Sequence, residues 1–523
     1  MRITQSWLKS KFPLTLPPKR QCDKVWRMVI QNNFFSILLL IALLGTTFQS
    51  WGIQKKQPNF IIIYIDDLGY SDLGIFSDQK LNTPAIDQLV ASGQSWTDFY
   101  ATSSVCSPSR GALLTGNLPV RSGLYGDQIS VFWPGSTKGI PQEYITLPEI
   151  FQQNDYATAI FGKWHLGDAS FALPTRHGFD EWLGIPYSND MDWEVEGITS
   201  TNIFQEPALV GKKWEIVGPI LNQRIMHPQN SDWHVPLQRS VRISNNSFND
   251  EIIERPADQT QLSQRYTKES IDFIHRTATA KKPFFLLLSH SMPHVPLFSS
   301  QPFVNKSVKG LYGDVLEEID WSLGAVMRAL EKAQIVDNTY IVFTSDNGPW
   351  LRYKDHAGSA APLRGGKGTS YEGGLRVMTI FKGPRIQQGI SNELGAQTDI
   401  YNTFLSLAGI EHSKEAQDSF DLSITLTTGR NSPRQFIPYY SGSELRAFRV
   451  GMSKLHFVTA DPFDQNRILH DPPILTDLKN DIGETKNVAA LQPETLAIVQ
   501  RKKEQFLKQL TIKASILDRQ YHN

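Results

Sequence analysis

Three short stretches of this chain combine residue types that do chemistry. Asp66-Asp67 and Asp346-Asn347 each end an apolar run. A carboxylate at the end of a buried strand is costly unless it is paired or bound to a metal. Four side-chain oxygens from two strand ends suit a hard divalent cation, and calcium collects about six to eight oxygens. Zinc would favour His or Cys, and neither pair contains one. Taken singly, such a pair also serves as a helix cap or a turn. The third stretch runs from Cys106 to Gly116. Pro108 fits the first turn of a helix, where its missing N–H costs nothing, and Gly116 fits the stop. Cys106 therefore falls at a helix N-terminus, where unpaired N–H groups and the helix dipole attract an anion. Arg110, one turn along, offers a planar fork of donors to the same point.

The stretch CSPSRGALLTG (106–116) also resembles the signature C-x-P-S-R-x-x-x-L-T-G of the sulfatase family at every fixed position. Four more segments extend the resemblance: GKWHLG (162–167), HSMPHVP (290–296), LRGGKGTSYEGG (363–374) and HDPP (470–473) with the segment to Asn487. Ile185-Pro186-Tyr187-Ser188 narrows it to the arylsulfatase A group. The resemblance spans about Pro58 to Val488. It implies that Cys106 is oxidised to formylglycine by a dedicated generating enzyme, and that the hydrated aldehyde attacks the sulfur of a sulfate monoester. It implies one calcium ion held by Asp66, Asp67, Asp346, Asn347 and the modified Cys106, with Asp346 assisting deprotonation of the nucleophile. Arg110, Lys163, Lys367 and His294 become the groups around the ester oxygens, with Lys367 and His294 on the bridging-oxygen side. His165 takes the proton that releases sulfate, and Ser188 lines the sulfate pocket. Animal lysosomal members of the group are disulfide-rich. This chain has only Cys22 and Cys106, so no disulfide framework is carried over.

Those residues need elements that bring them to one edge. Asn59–Ile65, Tyr156–Phe161, Pro283–Ser289 and Tyr340–Ser345 read as short buried strands. Helices are expected from Thr83-Pro84 to about Gly93 and over Leu311–Gln334, where an apolar stripe recurs at helical spacing. The candidate polar residues follow the C-terminal ends of the strands, where open α/β sheets bind ligands. The expected fold is α/β: a large mixed, mostly parallel sheet sandwiched by helices, as the resemblance also implies, with a smaller C-terminal antiparallel sheet plus helix. Strands at Phe436–Ser441, Ala447–Gly451, Lys454–Thr459 and Ile474–Leu478 and a helix from Pro493 make up that second unit. The division is an N-terminal export signal or anchor at 1–53, a catalytic domain at 57–428 and a small α+β subdomain at 429–523. From Asp190 to Asp258 the alternating pattern fails. That segment reads either as an insertion shaping the substrate pocket or as a surface excursion.

Composition bounds the partners. The chain has 523 residues, 52 basic against 52 acidic, so formal net charge is zero. Nucleic acid is thereby excluded as the main partner, because phosphate binding needs a basic excess. The expected substrate is a sulfated small molecule or glycan. Phe34–Phe48 is an uncharged apolar run behind six Lys and Arg residues between Lys9 and Arg27. That is the pattern of an export signal. Extended to Ile53 it reaches about twenty residues, enough for a membrane anchor. Either way the rest of the chain lies outside the cytoplasm, as a periplasmic, secreted or anchored protein. Two other readings compete. One is a phosphonate or phosphate monoester hydrolase of the same superfold; the other is a binding protein in which Cys106 is never converted.

Overall fold

The computed structural model describes residues 57–77, 81–204 and 206–521. The apolar run at 34–53 and Cys22 lie outside the described residues. Strand β1, Asn59–Ile65, is buried at every position, as a strand covered on both faces must be. Its side chains alternate: Phe60, Ile62 and Tyr64 enter one apolar layer, Ile61, Ile63 and Ile65 the other. The helices Pro84–Ser92, Leu262–Thr279 and Gly310–Lys332 cover the Ile61 face. The helices Cys106–Thr115, Leu147–Gln153 and Gln397–Ala408 cover the Phe60 face.

The remaining strands of this sheet are β2 (Gln94–Trp96), β3 (Ala157–Gly162), β4 (Glu181–Gly184), β5 (Leu237–Ser244), β6 (Ser247–Glu254), β7 (Phe284–Ser289), β8 (Thr339–Ser345), β9 (Thr379–Lys382) and β10 (Gly389–Ser391). They lie in the order β10-β2-β9-β8-β1-β7-β3-β4-β5-β6. The centre, β8-β1-β7-β3-β4, is parallel. Antiparallel pairings join β9 to β8 and β5 to β4. The mixed, centrally parallel sheet expected from the sequence is therefore the fold observed. Strand register sets the site: Ile65 pairs with Ser345 and Tyr64 with Ser289, while Ser289 pairs with Gly162. Asp66, Asp346, His290 and Lys163 leave the sheet together.

The segment 190–258 is neither irregular nor a surface excursion. It contains the helix Val210–Met226 and the β5–β6 hairpin that extends the sheet edge. Trp193 and Trp233 are buried in the same apolar layer as β1, with Trp214 packed against them. Scattered tryptophans were the sign of a core here, and the missing period reflects shallow burial: the helix buries only Val217, Leu221 and Ile225, and no residue of Ser247–Glu254 is fully buried. The chain then closes with a four-stranded antiparallel sheet, β11 (Phe436–Ser441), β12 (Glu444–Val450), β13 (Ser453–Thr459) and β14 (Ile468–Asp477). The helix Pro493–Leu507 packs Phe506 on Phe448 of one face. Ile437, Tyr439 and Ala447 of the other face meet Tyr100 and Leu375. No helix among the described residues is long and apolar enough to cross a membrane.

One glycine fixes how closely the central strands approach. Gly162 has φ +122°, and a Cβ there would lie 1.7 Å from the Ser289 carbonyl oxygen. Gly162→Ala is expected to destabilise the protein by at least about 1–3 kcal/mol, the usual cost of overpacking. Urea unfolding of the variant beside the wild type checks this, and an unchanged midpoint would show that β3 and β7 can part without penalty.

Candidate active site

The helix Cys106–Thr115 begins at the cysteine itself, with Val105 as a cap that contributes no side-chain bond. Its start is held from outside. Ser109 Oγ accepts from Ser103 N (3.2 Å) and donates to Ser103 O (3.0 Å). Ser107 Oγ accepts from Phe132 N at 3.0 Å. Gly116 ends the helix in the left-handed region at φ +67°. Cys106 is 1% exposed.

Around its sulfur stand carboxylates and ammonium groups from the ends of β1, β3 and β8 and from the loop that carries Lys367. Asp66 Oδ1 is 3.5 Å from Cys106 Sγ. Lys367 Nζ is 3.3 Å from the same sulfur and 2.8 Å from both oxygens of Asp67. Lys163 Nζ bonds to Asp66 and, at 3.1 Å, to Ser188 Oγ. Ser188 Oγ lies 3.3 Å from His294 Nε2, which is 3.7 Å from Asp67. Asn347 Nδ2 donates to Asp67 at 2.7 Å. Every polar residue expected at the site, His165 included, is buried within this assembly. Arg110 faces the base of the pocket. Its Nε and Nη2 donate to Asp346 Oδ2 at 3.1 and 2.9 Å, and its Nη1 donates to the Lys163 carbonyl and Ser289 Oγ. It ties β1, β3, β7 and β8 together beneath the nucleophile position.

Electrostatics follow from burial. Burial, with Asp66 beside it, pushes the Cys106 thiol well above its ordinary range, so as a thiol it is a poor nucleophile. Burial works against the Lys367 ammonium, but Asp67, Cys106 and Asp66 more than offset it and raise its pKa. Burial together with Lys163 and Arg110 keeps His165 neutral. Its Nε2 lies 2.9 Å from the Phe132 carbonyl oxygen, which needs a donor there, so Nδ1 carries the free lone pair. That Nδ1 is buried with no hydrogen-bond partner. Burial, Lys367 and Lys163 likewise depress His294. Its Nδ1 donates to Val295 O at 2.6 Å, leaving Nε2 an acceptor.

The donor set fits a hard divalent cation. Asp66, Asp67, Cys106 and His294 present ligand atoms within 4.8 Å of one another. Asn347 Oδ1 is buried and has no hydrogen-bond partner. Burial and the neighbouring Asp66 push the Asp346 carboxyl up to about 7, although Arg110 beside it works the other way. The oxygens outnumber the nitrogen and sulfur, which favours calcium or magnesium over zinc.

Several residues at the site carry no signal in the sequence. Trp350 lies with its ring centroid 4.7 Å from Lys367 Nζ and 5.5 Å from the His294 ring. Asp190 Oδ1 is buried without a partner beside Ser188. The loop carrying Lys367 is held by residues at least 67 positions away from Glu372. Buried Glu372 accepts from Tyr100, Tyr439 and Lys454 at 2.5, 2.6 and 3.0 Å. Lys454 Nζ also donates to Ser370 O and pairs with Glu484 at 2.8 Å. Glu484 in turn accepts from Glu372 N and, through its carbonyl, from Arg364. Only the buried glutamate of the glycine-rich motif hinted at this.

Comparison with known proteins agrees with the geometry. The family model described as Sulfatase matches residues 58–410, and that of the C-terminal region of aryl-sulfatase matches 432–523. The chain is 35% identical over 494 residues to arylsulfatase A of Homo sapiens, covering 88% of this chain and 89% of the relative. It is 34% identical over 412 residues to N-acetylgalactosamine-6-sulfatase of Canis lupus familiaris, covering 77% and 72%. Among solved structures, the PsFucS1 sulfatase from Pseudoalteromonas sp. superposes with a TM-score of 0.72 at 25% identity, over 97% of this chain and 96% of that one.

Lys454→Met tests the clamp on the Lys367 loop. It strands Glu372 and Glu484 without their shared cation, and losing one partner of a buried pair costs about 3–5 kcal/mol. The expected readout is a lower denaturant midpoint at unchanged slope. A midpoint equal to that of the wild type would mean that Tyr100 and Tyr439 suffice for Glu372, and His456 and the Glu372 backbone N–H for Glu484.

Proposed function

The chain belongs to the sulfatase family and is a sulfuric ester hydrolase, and we propose that its reaction runs in the pocket around Cys106. The observation that carries this reading is Lys367, whose ammonium stands between the Cys106 sulfur at 3.3 Å and both oxygens of Asp67 at 2.8 Å. One cation thus adjoins both the nucleophile position and the candidate metal carboxylates. The family suggests a metal ion and formylglycine. We assign the metal as one calcium held by Asp66, Asp67, Asp346, Asn347 and residue 106, and the formylglycine as the product of a generating enzyme acting on Cys106. Between them, these two groups supply the charge that draws in a sulfate monoester and the oxygen nucleophile for its sulfur.

The chain's own residues do the rest. Lys163 donates to non-bridging sulfate oxygens, and Ser188, 3.1 Å from its ammonium, lines the sulfate pocket. Arg110 fixes Asp346 and the Lys163 backbone, so the pocket is preorganised. Neutral His165 presents a lone pair at Nδ1 that takes a proton during sulfate release. His294 Nε2, an acceptor in the neutral ring, takes the Ser188 hydroxyl proton in a hydrogen bond and so fixes Ser188 from the Trp350 side. That leaves Lys367 as the donor for the departing oxygen, where charge grows as the S–O bond breaks. The substrate is a sulfated small molecule or glycan. We divide the chain into a catalytic domain at 57–428 and a subdomain at 429–523. Residues 1–53 direct or anchor it outside the cytoplasm; the basic-then-apolar pattern at 9–53 supports this.

The test is direct. Mass spectrometry of the tryptic peptide containing residue 106 should find formylglycine, and elemental analysis should find one calcium per chain. An intact thiol in a fully active preparation, or two zinc ions with turnover of phosphate esters, would sink this reading. Separately, Lys367→Ala should lower kcat by roughly 10²–10³, the loss of about 3–4 kcal/mol typical of one such donor, with a smaller change in KM. The deficit should shrink for acidic leaving groups. A raised KM with intact kcat on a poor leaving group would make Lys367 a binding residue instead.

A further inference from the structure

The Phe132 carbonyl is the contact that leaves His165 Nδ1 bare. Yet Phe132 lies in a stretch, 123–146, that forms neither strand nor helix. What holds it comes from the segment 511–521, beyond the helix Pro493–Leu507. That segment runs alongside residues 120–137. Lys513 N donates to Val120 O, Ile516 N to Gly123 O and Leu517 N to Tyr125 O, at 2.9, 2.9 and 3.3 Å. The Asp518 carboxylate accepts from the backbone N–H groups of Asp127, Gln128 and Ile129 at 2.8, 2.8 and 2.9 Å. Leu517 is buried in the same apolar layer as Phe132.

Gln520 completes the register with its side chain. Its Oε1 accepts from Trp133 N at 2.7 Å, and its Nε2 donates to Val131 O at 3.1 Å. Those are the two neighbours of Phe132. Phe132 spends its own backbone groups elsewhere: its N–H donates to Ser107 Oγ at 3.0 Å, and its carbonyl meets His165 Nε2 at 2.9 Å. Alternate residues serving opposite partners is the pattern of a strand, here with an amide side chain in place of the partner strand. The second Nε2 hydrogen goes to Leu517 O at 3.0 Å, and the Gln520 carbonyl accepts from Thr137 N at 2.7 Å. Gln520 is fully buried, so water does not stand in for any of these bonds.

We propose that Gln520 is a positioning residue for sulfate release: it fixes Phe132 and, through the Phe132 carbonyl, the tautomer of His165. If that carbonyl drifts, the buried Nε2–H of His165 loses its acceptor. The contact that selects the tautomer with a free Nδ1 lone pair is then gone. Bond cleavage in the ester does not pass through this chain of contacts, so only the later step should suffer. The inference rests on the release role given to His165 above and extends it to a residue 355 positions away in sequence.

Gln520→Met tests it, because Met keeps the length and makes neither bond. Turnover of 4-nitrophenyl sulfate is measured and normalised to formylglycine content. Slower release lowers kcat and KM together, while kcat/KM, which reports the earlier steps, holds. The variant should lose roughly tenfold in kcat, against about 10²–10⁴ for removing a general base outright. Its kcat/KM should stay within about twofold, and nitrophenol should appear in a burst before the slow steady state. Hydrogen exchange should quicken in a peptide covering 127–137 and not in β1. A fall in kcat/KM without the burst, or a wild-type kcat, would overturn the proposal. Should Gln520→Met not fold, Asp518→Ala, at a half-buried position, decides alone, with the same signature at smaller amplitude. His165→Ala is the reference and should show the same split with a larger loss in kcat. If it lowers kcat/KM instead, the release role of His165 is wrong and the link through Phe132 falls with it. If the wild type hydrolyses no sulfate ester, the sulfatase reading itself falls.

Discussion

Asp66, Asp67 and Asp346 face Arg110, Lys163 and Lys367 in a place where none of the six is more than 5% exposed. Desolvation makes each of those charges untenable alone, so their mutual placement is the constraint that the rest of the molecule serves. It cannot be built on loops free to relax. The parallel strands β1, β3, β7 and β8 end in register, and Arg110 ties those ends together from the helix behind them. A cluster of this kind is weak evidence for stability, since well-packed apolar residues would serve as well or better. Its justification is chemical: charges fixed in advance around a place where charge develops.

The same logic explains the second buried ionic network. Glu372, Lys454, Glu484, Arg376 and Arg449 are at most 5% exposed, far from the nucleophile in sequence. They weld the C-terminal sheet to the loop that presents Lys367. Arg376 and Arg449 also reach Asp98, beside the segment that leads into Cys106. The small sheet is therefore a backing for two segments of the site, the Lys367 loop and the approach to Cys106, rather than an appendage.

What could be read from the sequence divides along physical lines. Continuous apolar runs such as Asn59–Ile65 and Phe284–Ser289 declare buried strands because they have no polar face to display. The signature from Cys106 to Gly116 declares its helix because proline and glycine punctuate it. The segment 190–258 misled, because elements that bury few side chains show no clear period, and its tryptophans looked scattered until the fold placed Trp193 and Trp233 in one core. Lys454, Glu484 and Trp350 were silent for another reason. Each gains its meaning from a partner in another element, and no local pattern records which carboxylate a lysine will meet. Arg110 was visible as a donor near the cysteine, but not the face of the pocket on which its fork would lie.

The clamp on the glycine-rich loop also sets an order of events during synthesis. Lys367 leaves the ribosome well before Lys454 and Glu484, the groups that pin its loop. At about 5–20 residues per second, that gap lasts on the order of ten seconds. During it the chain already holds each of the candidate catalytic residues, yet the loop bearing one of them has no anchor. A nascent or prematurely terminated chain that stops short of Glu484 would carry the full chemical complement and still lack a finished site.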